Sequence, residues 1–163
     1  MYGKQTRCAI GAMSRLAEVY DGGTTLLSAA DIAASRGVPR PRVAKVLAVL
    51  SQAGLVVGAP GPGGGFTLAD DPANITLRDV FVLFERNEDA LPCPFGDGVC
   101  GTNGPCPLHD DLTSVREALA RLLDRTTFAR FQTAHQERHA DVLSESPAKD
   151  SADNRNTGQH AHE

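Results

Sequence analysis

Leu55-Val56-Val57-Gly58-Ala59-Pro60-Gly61-Pro62-Gly63-Gly64-Gly65-Phe66-Thr67-Leu68 is the stretch on which the fold turns. Leu55-Val56-Val57 and Phe66-Thr67-Leu68 are short runs of strand-forming residues, and Gly61 to Gly65 between them hold Pro62 and four glycines. That composition makes a wide turn, so the stretch reads as a β-hairpin. A nucleotide-binding loop is the other use of such glycines. This one lacks the Lys-Ser/Thr of a Walker motif and opens no helix, which excludes that use.

Two helical stretches lie just upstream. Ser28 precedes Ala29-Ala30-Asp31, an N-cap with an acid close to the capping-box pattern, and the helix Ala29–Arg36 ends at Gly37. After Val38-Pro39 a second helix runs from Arg40 to Ala53, with Val43, Val46, Leu47 and Leu50 on its buried face and Gly54 at its end. A short helix, a tight turn with Gly and a second helix form a helix-turn-helix, although an ordinary helical hairpin carries the same pattern. The hairpin that follows at once makes it the winged form.

The flanks extend the pattern. Thr6 to Tyr20 places Ile10, Met13, Leu16, Ala17 and Tyr20 on one helical stripe, stopped by Asp21-Gly22-Gly23. A further helix opens in Asn74-Ile75-Thr76-Leu77-Arg78-Asp79, capped by Asn74 or Thr76. It buries Leu77, Val80, Phe81 and Phe84 and ends near Glu85-Arg86-Asn87. After Pro107, a residue suited to a first helical turn, Leu108, Leu112, Val115, Leu119 and Leu122 alternate four and three apart. This spacing fits a helix packed on its own core, and its continuity favours the seam of a two-fold dimer. From Thr133 the chain is polar, with Val142 and Leu143 as sizeable apolar residues, and a disordered tail with solvated His135, His139, His160 and His162 is expected. The expected fold is mainly α with a small β-hairpin wing: a winged helix-turn-helix over 1–85, a cysteine loop and long dimerisation helix over 86–131, and the tail over 132–163.

The net charge is −4, yet it is unevenly placed. Up to Gly65 there are seven cations (Lys4, Arg7, Arg15, Arg36, Arg40, Arg42, Lys45) against Glu18, Asp21 and Asp31, and acids dominate thereafter. One half is thus suited to face a polyanion. Arg40, Arg42 and Lys45 are the candidates for the major groove and phosphates of double-stranded DNA. Ser28 and the wing backbone at Gly61, Gly63, Gly64 and Gly65 complete the candidate contacts. Two such heads on a homodimer imply a palindromic operator.

Cys93, Cys100 and Cys106 are spaced C-x6-C-x5-C, with His109 shortly after, among prolines and glycines that favour irregular backbone. A chain of 163 residues buries a core without disulfide staples. It carries no apolar run of signal-peptide or membrane-span character, so the expected setting is cytoplasmic and reducing, without a membrane partner. Clustered cysteines there mean metal or redox chemistry. Thiolates favour zinc, copper(I) or iron–sulfur centres. Cys93, Cys100, Cys106 and His109 match a Cys3His zinc set, although zinc knuckles are usually tighter. They equally match a cluster in which histidine replaces a cysteine. Cys8 is the rival fourth ligand, and a lone helical cysteine is ordinarily a small core residue. An enzyme is not indicated. Asp110 and Asp111 are explained by the helix dipole, and no C-x-x-C is present.

Together these residues resemble the Rrf2 family of bacterial winged-helix regulators. The resemblance is carried by Gly54-Leu55-Val56 with Gly61-Pro62-Gly63-Gly64-Gly65-Phe66, by Ile75-Thr76-Leu77-Arg78-Asp79-Val80, and by three cysteines before a long helix. It covers residues 1–131. It implies a homodimeric transcription factor, a repressor, whose iron–sulfur cluster controls DNA binding and senses redox state, nitric oxide or cluster supply. The ligand spacing is similar to that of the family's iron–sulfur-cluster regulators, implying a 2Fe–2S centre with 4Fe–4S as the alternative. Pro60 stands where many relatives carry Arg. Arg7 stands about where the family's nitric-oxide sensors carry an aspartate ligand, and a guanidinium has no lone pair to offer a metal.

Overall fold

In a computed structural model the chain is described over residues 3–85 and 107–144, the last four by backbone alone. Cys93, Cys100 and Cys106 lie outside the described residues.

Helix α1 (Lys4–Glu18) is the central rod. Its buried face is Cys8, Ala9, Ala12, Met13, Leu16 and Ala17, and Ile10 and Tyr20 of the expected stripe are only partly buried. Three alanines let neighbouring backbones approach closely, which is how one helix packs against α2 (Ala29–Arg36), α3 (Arg40–Gln52), α4 (Leu77–Phe84), α6 (Ala129–Ser144) and the wing. Met13, Leu16 and Ala17 of the expected stripe are buried, and Ala9 and Ala12, whose small side chains carry little hydrophobic signal, complete it in place of Ile10.

α2 is closed at both ends by local chemistry. The Ser28 hydroxyl accepts from the Asp31 amide and the Asp31 carboxylate accepts from the Ser28 amide at 3.0 Å, while Gly37 adopts the left-handed conformation at φ 60°. α4 repeats the device with Thr76 and Asp79, which settles the cap on Thr76 rather than Asn74. Each such cap is worth about 1 kcal/mol. β1 (Val56–Ala59) and β2 (Gly65–Leu68) pair antiparallel, Val56 opposite Leu68 and Ala59 opposite Gly65. A two-way bridge between Leu27 and Phe66 at 3.0 and 2.8 Å fastens this wing to the helix-turn-helix.

α5 (His109–Arg125) starts two residues after Pro107, so that proline precedes the helix instead of forming its first turn. Leu123 is its buried residue, whereas Leu108, Val115 and Leu122 of the heptad seam are 41%, 65% and 48% exposed. Leu112 and Leu119 of the same seam are half-buried, so only part of it faces away from the core of its own chain. The turn after α5 is clipped to the start of α4 by Leu77 N–H to Thr126 O and Phe128 N–H to Ile75 O, both at 2.9 Å. Phe128 is fully buried in the same core as α1 to α4 and stacks on Phe131.

The disordered tail expected from 132 does not begin there. α6 continues to Ser144 and packs on α1, with Gln132 Nε2 donating to Tyr20 O at 2.9 Å. Its polar sequence hid it, because α6 is held by a few contacts near its start and by Arg138 beside Glu18, not by an apolar stripe. His135 and His139 stand one turn apart on it, rings edge to face at 4.4 Å. Among the described residues no helix is long and apolar enough to cross a membrane.

Candidate nucleic-acid interface

Burying Val43, Val46, Leu47 and Leu50 turns the opposite face of α3 outward, and that face carries Arg40, Arg42, Lys45, Ala48 and Gln52. Between it and the wing lies an open groove of about 510 Å³ lined by Ala29, Arg40, Ala44, Ala48, Gln52 and Phe66. Methyl groups on its floor permit close approach and suit apolar contact with a base edge, while Arg40 supplies a donor fork on its border.

The wing glycines divide by role. Gly61 and Gly63 are exposed with φ of 97° and 76°, so they alone make the tip a tight turn without strain. Gly64 donates its N–H to Gly61 O at 2.9 Å, and a Cβ there would strike the carbonyl oxygens of Ala59 and Gly61. Gly65 is buried, and a Cβ on it would come within 2.7 Å of the Leu27 backbone. The Gly64 N–H is therefore taken up within the turn, and Gly64 and Gly65 both shape the wing. Ser28 is likewise occupied, its hydroxyl donating to Asp31 Oδ2 at 2.6 Å.

On the other flank of α3 is a feature the sequence reading missed. A cleft of about 240 Å³ is walled by Lys4 and Arg7 of α1, Arg36 of α2 and Arg42 of α3, with the Cys8 thiol and Val38 beside them. Arg36 is fixed by bonds to Gly11 O at 3.0 Å, Ser14 Oγ at 3.0 Å and Glu18 Oε1 at 2.7 Å. Burial acts to raise the Glu18 carboxyl, but the hydrogen bonds from Arg36 and Arg15 outweigh it and hold the group below its ordinary range. Burial pushes the Cys8 thiol up, with the Arg42 charge offsetting part of the rise. Cys8 is thus a protonated core residue at a cationic border, as a lone helical cysteine ordinarily is.

Glu85 ends α4 and directly precedes the cysteine-bearing stretch. Its carboxylate accepts from the Gly3 amide at 2.6 Å and from the Thr6 hydroxyl, tying α4 to the first turn of α1. These bonds, that from Thr6 foremost, hold the Glu85 carboxyl low. His109 is half-buried as the first residue of α5. Among the described residues no three His, Cys, Asp or Glu side chains gather to hold a metal.

The family model described as Rrf2, iron-dependent transcriptional regulator, matches residues 2–134. The transcriptional repressor NsrR of Streptomyces coelicolor is 32% identical over 124 residues, 76% of this chain and 82% of that protein. The transcriptional regulator IscR of Klebsiella pneumoniae is 30% identical over 121 residues, 74% and 72% of the two chains. The expected lean towards the iron–sulfur-cluster regulators is not what these figures separate, since both kinds match to similar extents. The structure of CymR, the global cysteine regulator of B. subtilis, superposes with a TM-score of 0.67 at 24% identity, covering 82% of this chain and 97% of that one. It has the same fold.

Proposed function

The chain belongs to the Rrf2 family of transcriptional regulators, and on that premise we propose a homodimeric repressor that binds a palindromic operator and reports the state of an iron–sulfur cluster. The observation that carries the DNA-binding part is the exposed cationic face of α3 beside the glycine wing. Arg40 and Lys45 enter the major groove, Arg42 meets phosphate, and Gly61 and Gly63 bring the wing backbone against the flanking strand. Dimerisation uses the exposed part of the seam, Val115 and Leu122 on α5 with Leu108 just before it, apolar side chains that a single chain leaves in water.

Cys93, Cys100 and Cys106 are the proposed cluster ligands, with His109 as the fourth. The support is chemical: three soft thiolate donors and an imidazole within one turn-rich stretch, in a family described as iron-dependent. Held there, a 2Fe–2S centre supplies a one-electron, oxidant-sensitive group. Cys8 is a poorer fourth ligand because its raised thiol pKa opposes the thiolate form that metals need. No catalytic role follows from family or site.

Two measurements test the reading. Fluorescence anisotropy with duplexes from the protein's own upstream region should show tighter binding than random duplex in one cluster state and a loss of at least tenfold in the other. Anaerobic purification should give a coloured protein with iron and acid-labile sulfide, bleached by Cys93→Ala, Cys100→Ala or Cys106→Ala. One zinc per chain in a colourless protein would instead make the site a structural brace.

A further inference from the structure

We propose that the cleft walled by Lys4, Arg7, Arg36 and Arg42 is a second phosphate-binding site, which clamps the DNA backbone on the side of α3 opposite the wing. This rests on the DNA-binding reading and extends it to α1, a helix outside the helix-turn-helix.

Among the described residues the charge of the cleft is only partly offset. Arg36 is neutralised by Glu18 at 2.7 Å, whereas Lys4, Arg7 and Arg42 make no ion pair among the described residues. Three exposed cations around one opening of about 240 Å³ repel one another, and among the described residues no carboxylate lines the opening. Helix polarity makes the placement less favourable still. α2 and α4 follow the usual rule with Asp31 and Asp79 in their first turns, whereas α1 and α3 have no acid of their own there and carry Lys4, Arg7, Arg40 and Arg42, the start of α1 being met by the Glu85 carboxylate through Gly3 and Thr6. An arrangement that is costly alone and complementary to an anion points to an anion.

The position says which anion. Arg40 borders the groove on the wing side of α3, and Arg42 borders the cleft on the other side. A recognition helix in the major groove has one phosphate backbone on each flank. The wing meets one backbone and the cleft meets the other. Arg36, anchored at three acceptors and turned into the cleft wall, is the rigid member of the set, while Lys4 and Arg7 close from α1.

The experiment measures duplex affinity against salt concentration by anisotropy, for the full chain and for variants, on an upstream-region duplex and a mixed-sequence duplex of equal length. Lys4 and Arg7 are exposed, so their variants keep the fold, which melting curves check. Arg7→Ala and Lys4→Ala should each flatten the slope of log affinity on log salt by about one per subunit and weaken both duplexes alike. Arg7→Lys should restore most of the slope. Arg121→Ala on α5 should leave it unchanged and serves as the reference for loss of any surface charge. A slope unaltered in Arg7→Ala, a loss confined to one sequence, or an equal loss in Arg121→Ala overturns the proposal. So does titration with inorganic pyrophosphate in which the wild type alone binds while the variants keep the duplex slope, since the cleft is then a small-anion site. If the wild type binds neither duplex at low salt, the DNA-binding reading itself fails and takes this one with it.

Discussion

Replacing Glu85 by Ala removes the acceptor that ties the start of α1 to the end of α4. Two donors lose it, the amide of exposed Gly3 and the hydroxyl of Thr6, which is wholly buried. Water re-solvates Gly3, so little is lost there. Thr6 keeps no replacement at hand, and a buried hydroxyl deprived of a charged partner costs about 2 kcal/mol. The carboxylate also sits at the positive end of α1, worth roughly 0.5 kcal/mol more. For an ordered region of this size such a loss lowers Tm by about 8–12 °C at fixed protein concentration. Calorimetry on Glu85→Ala, Thr6→Val and the double variant is the assay. The double variant should cost less than the sum of the singles by about 1 kcal/mol or more, because Thr6→Val removes the orphaned hydroxyl. The pH dependence has a fixed sign. The folded-state carboxyl lies below its ordinary value of 4.5, so its contribution is complete above that pH and disappears as pH falls through the lower folded value. The gap between wild type and Glu85→Ala should therefore close in acid. A Tm change under 2 °C at neutral pH, or additive singles, would refute the reasoning.

Gly64→Ala should cost about 2–4 kcal/mol and abolish DNA binding, since its Cβ meets backbone carbonyls that cannot move aside. Gly63→Ala, with open space but φ of 76°, should cost only about 1–2 kcal/mol when both variants are compared by urea titration. Glu18→Gln should destabilise by about 2–4 kcal/mol by leaving the partly buried Arg36 and Arg15 without their shared counter-ion. Its carboxyl is also held low, so this loss too should fade as pH falls below the ordinary carboxylate range. Val115→Asp with Leu122→Asp should give a monomer by sedimentation equilibrium while retaining the helical circular dichroism of the folded chain, because both side chains are exposed in one protomer.

The parts legible in the sequence are those where one residue type does one local job. Ser28 with Asp31 and Thr76 with Asp79 are reciprocal caps, and Gly37 and Gly54 stop helices where only glycine tolerates a positive φ. These rules act within four residues and need no knowledge of the fold. The helix-turn-helix and wing followed from them almost to the residue. The Rrf2 resemblance agreed because the same local devices recur in the same order.

Non-local placement was less legible. Ala9 and Ala12 are core residues because four helices and the wing crowd α1, a fact no periodicity of large side chains expresses. α6 reads as solvated because its helix is anchored by Phe131, Gln132 and Arg138 at scattered points. The cationic cleft draws on residues from α1, α2 and α3, and only the pairing of Lys4 with Arg7 three apart, without an acid nearby, hinted at it. The packing role of Gly64 and Gly65 was hidden for the converse reason. Glycine serves both open turns and tight packing, and the spacing of a glycine run does not say which.

On the proposed function, α1 links Glu85, the described residue that precedes the cysteine-bearing stretch in sequence, to the proposed DNA-reading face. Its first turn is held by Glu85, which adjoins that stretch, and it carries Lys4 and Arg7 of the cleft. Its buried face packs on α3. A change of ligand state between residues 93 and 109 that displaces Glu85 would act on α1 with at most the free energy of those bonds, about 2 kcal/mol, which bounds the effect on DNA affinity at roughly 30-fold. That lies within the usual range of allosteric coupling, about 1–3 kcal/mol. Glu85→Gln is the decisive variant, since it keeps one acceptor and the shape while removing the charge. Its holo-to-apo affinity ratio should fall towards one while cluster absorbance stays at the wild-type level. A ratio equal to that of the wild type would mean that the signal passes along α5 and the dimer seam, and that α1 is only a support.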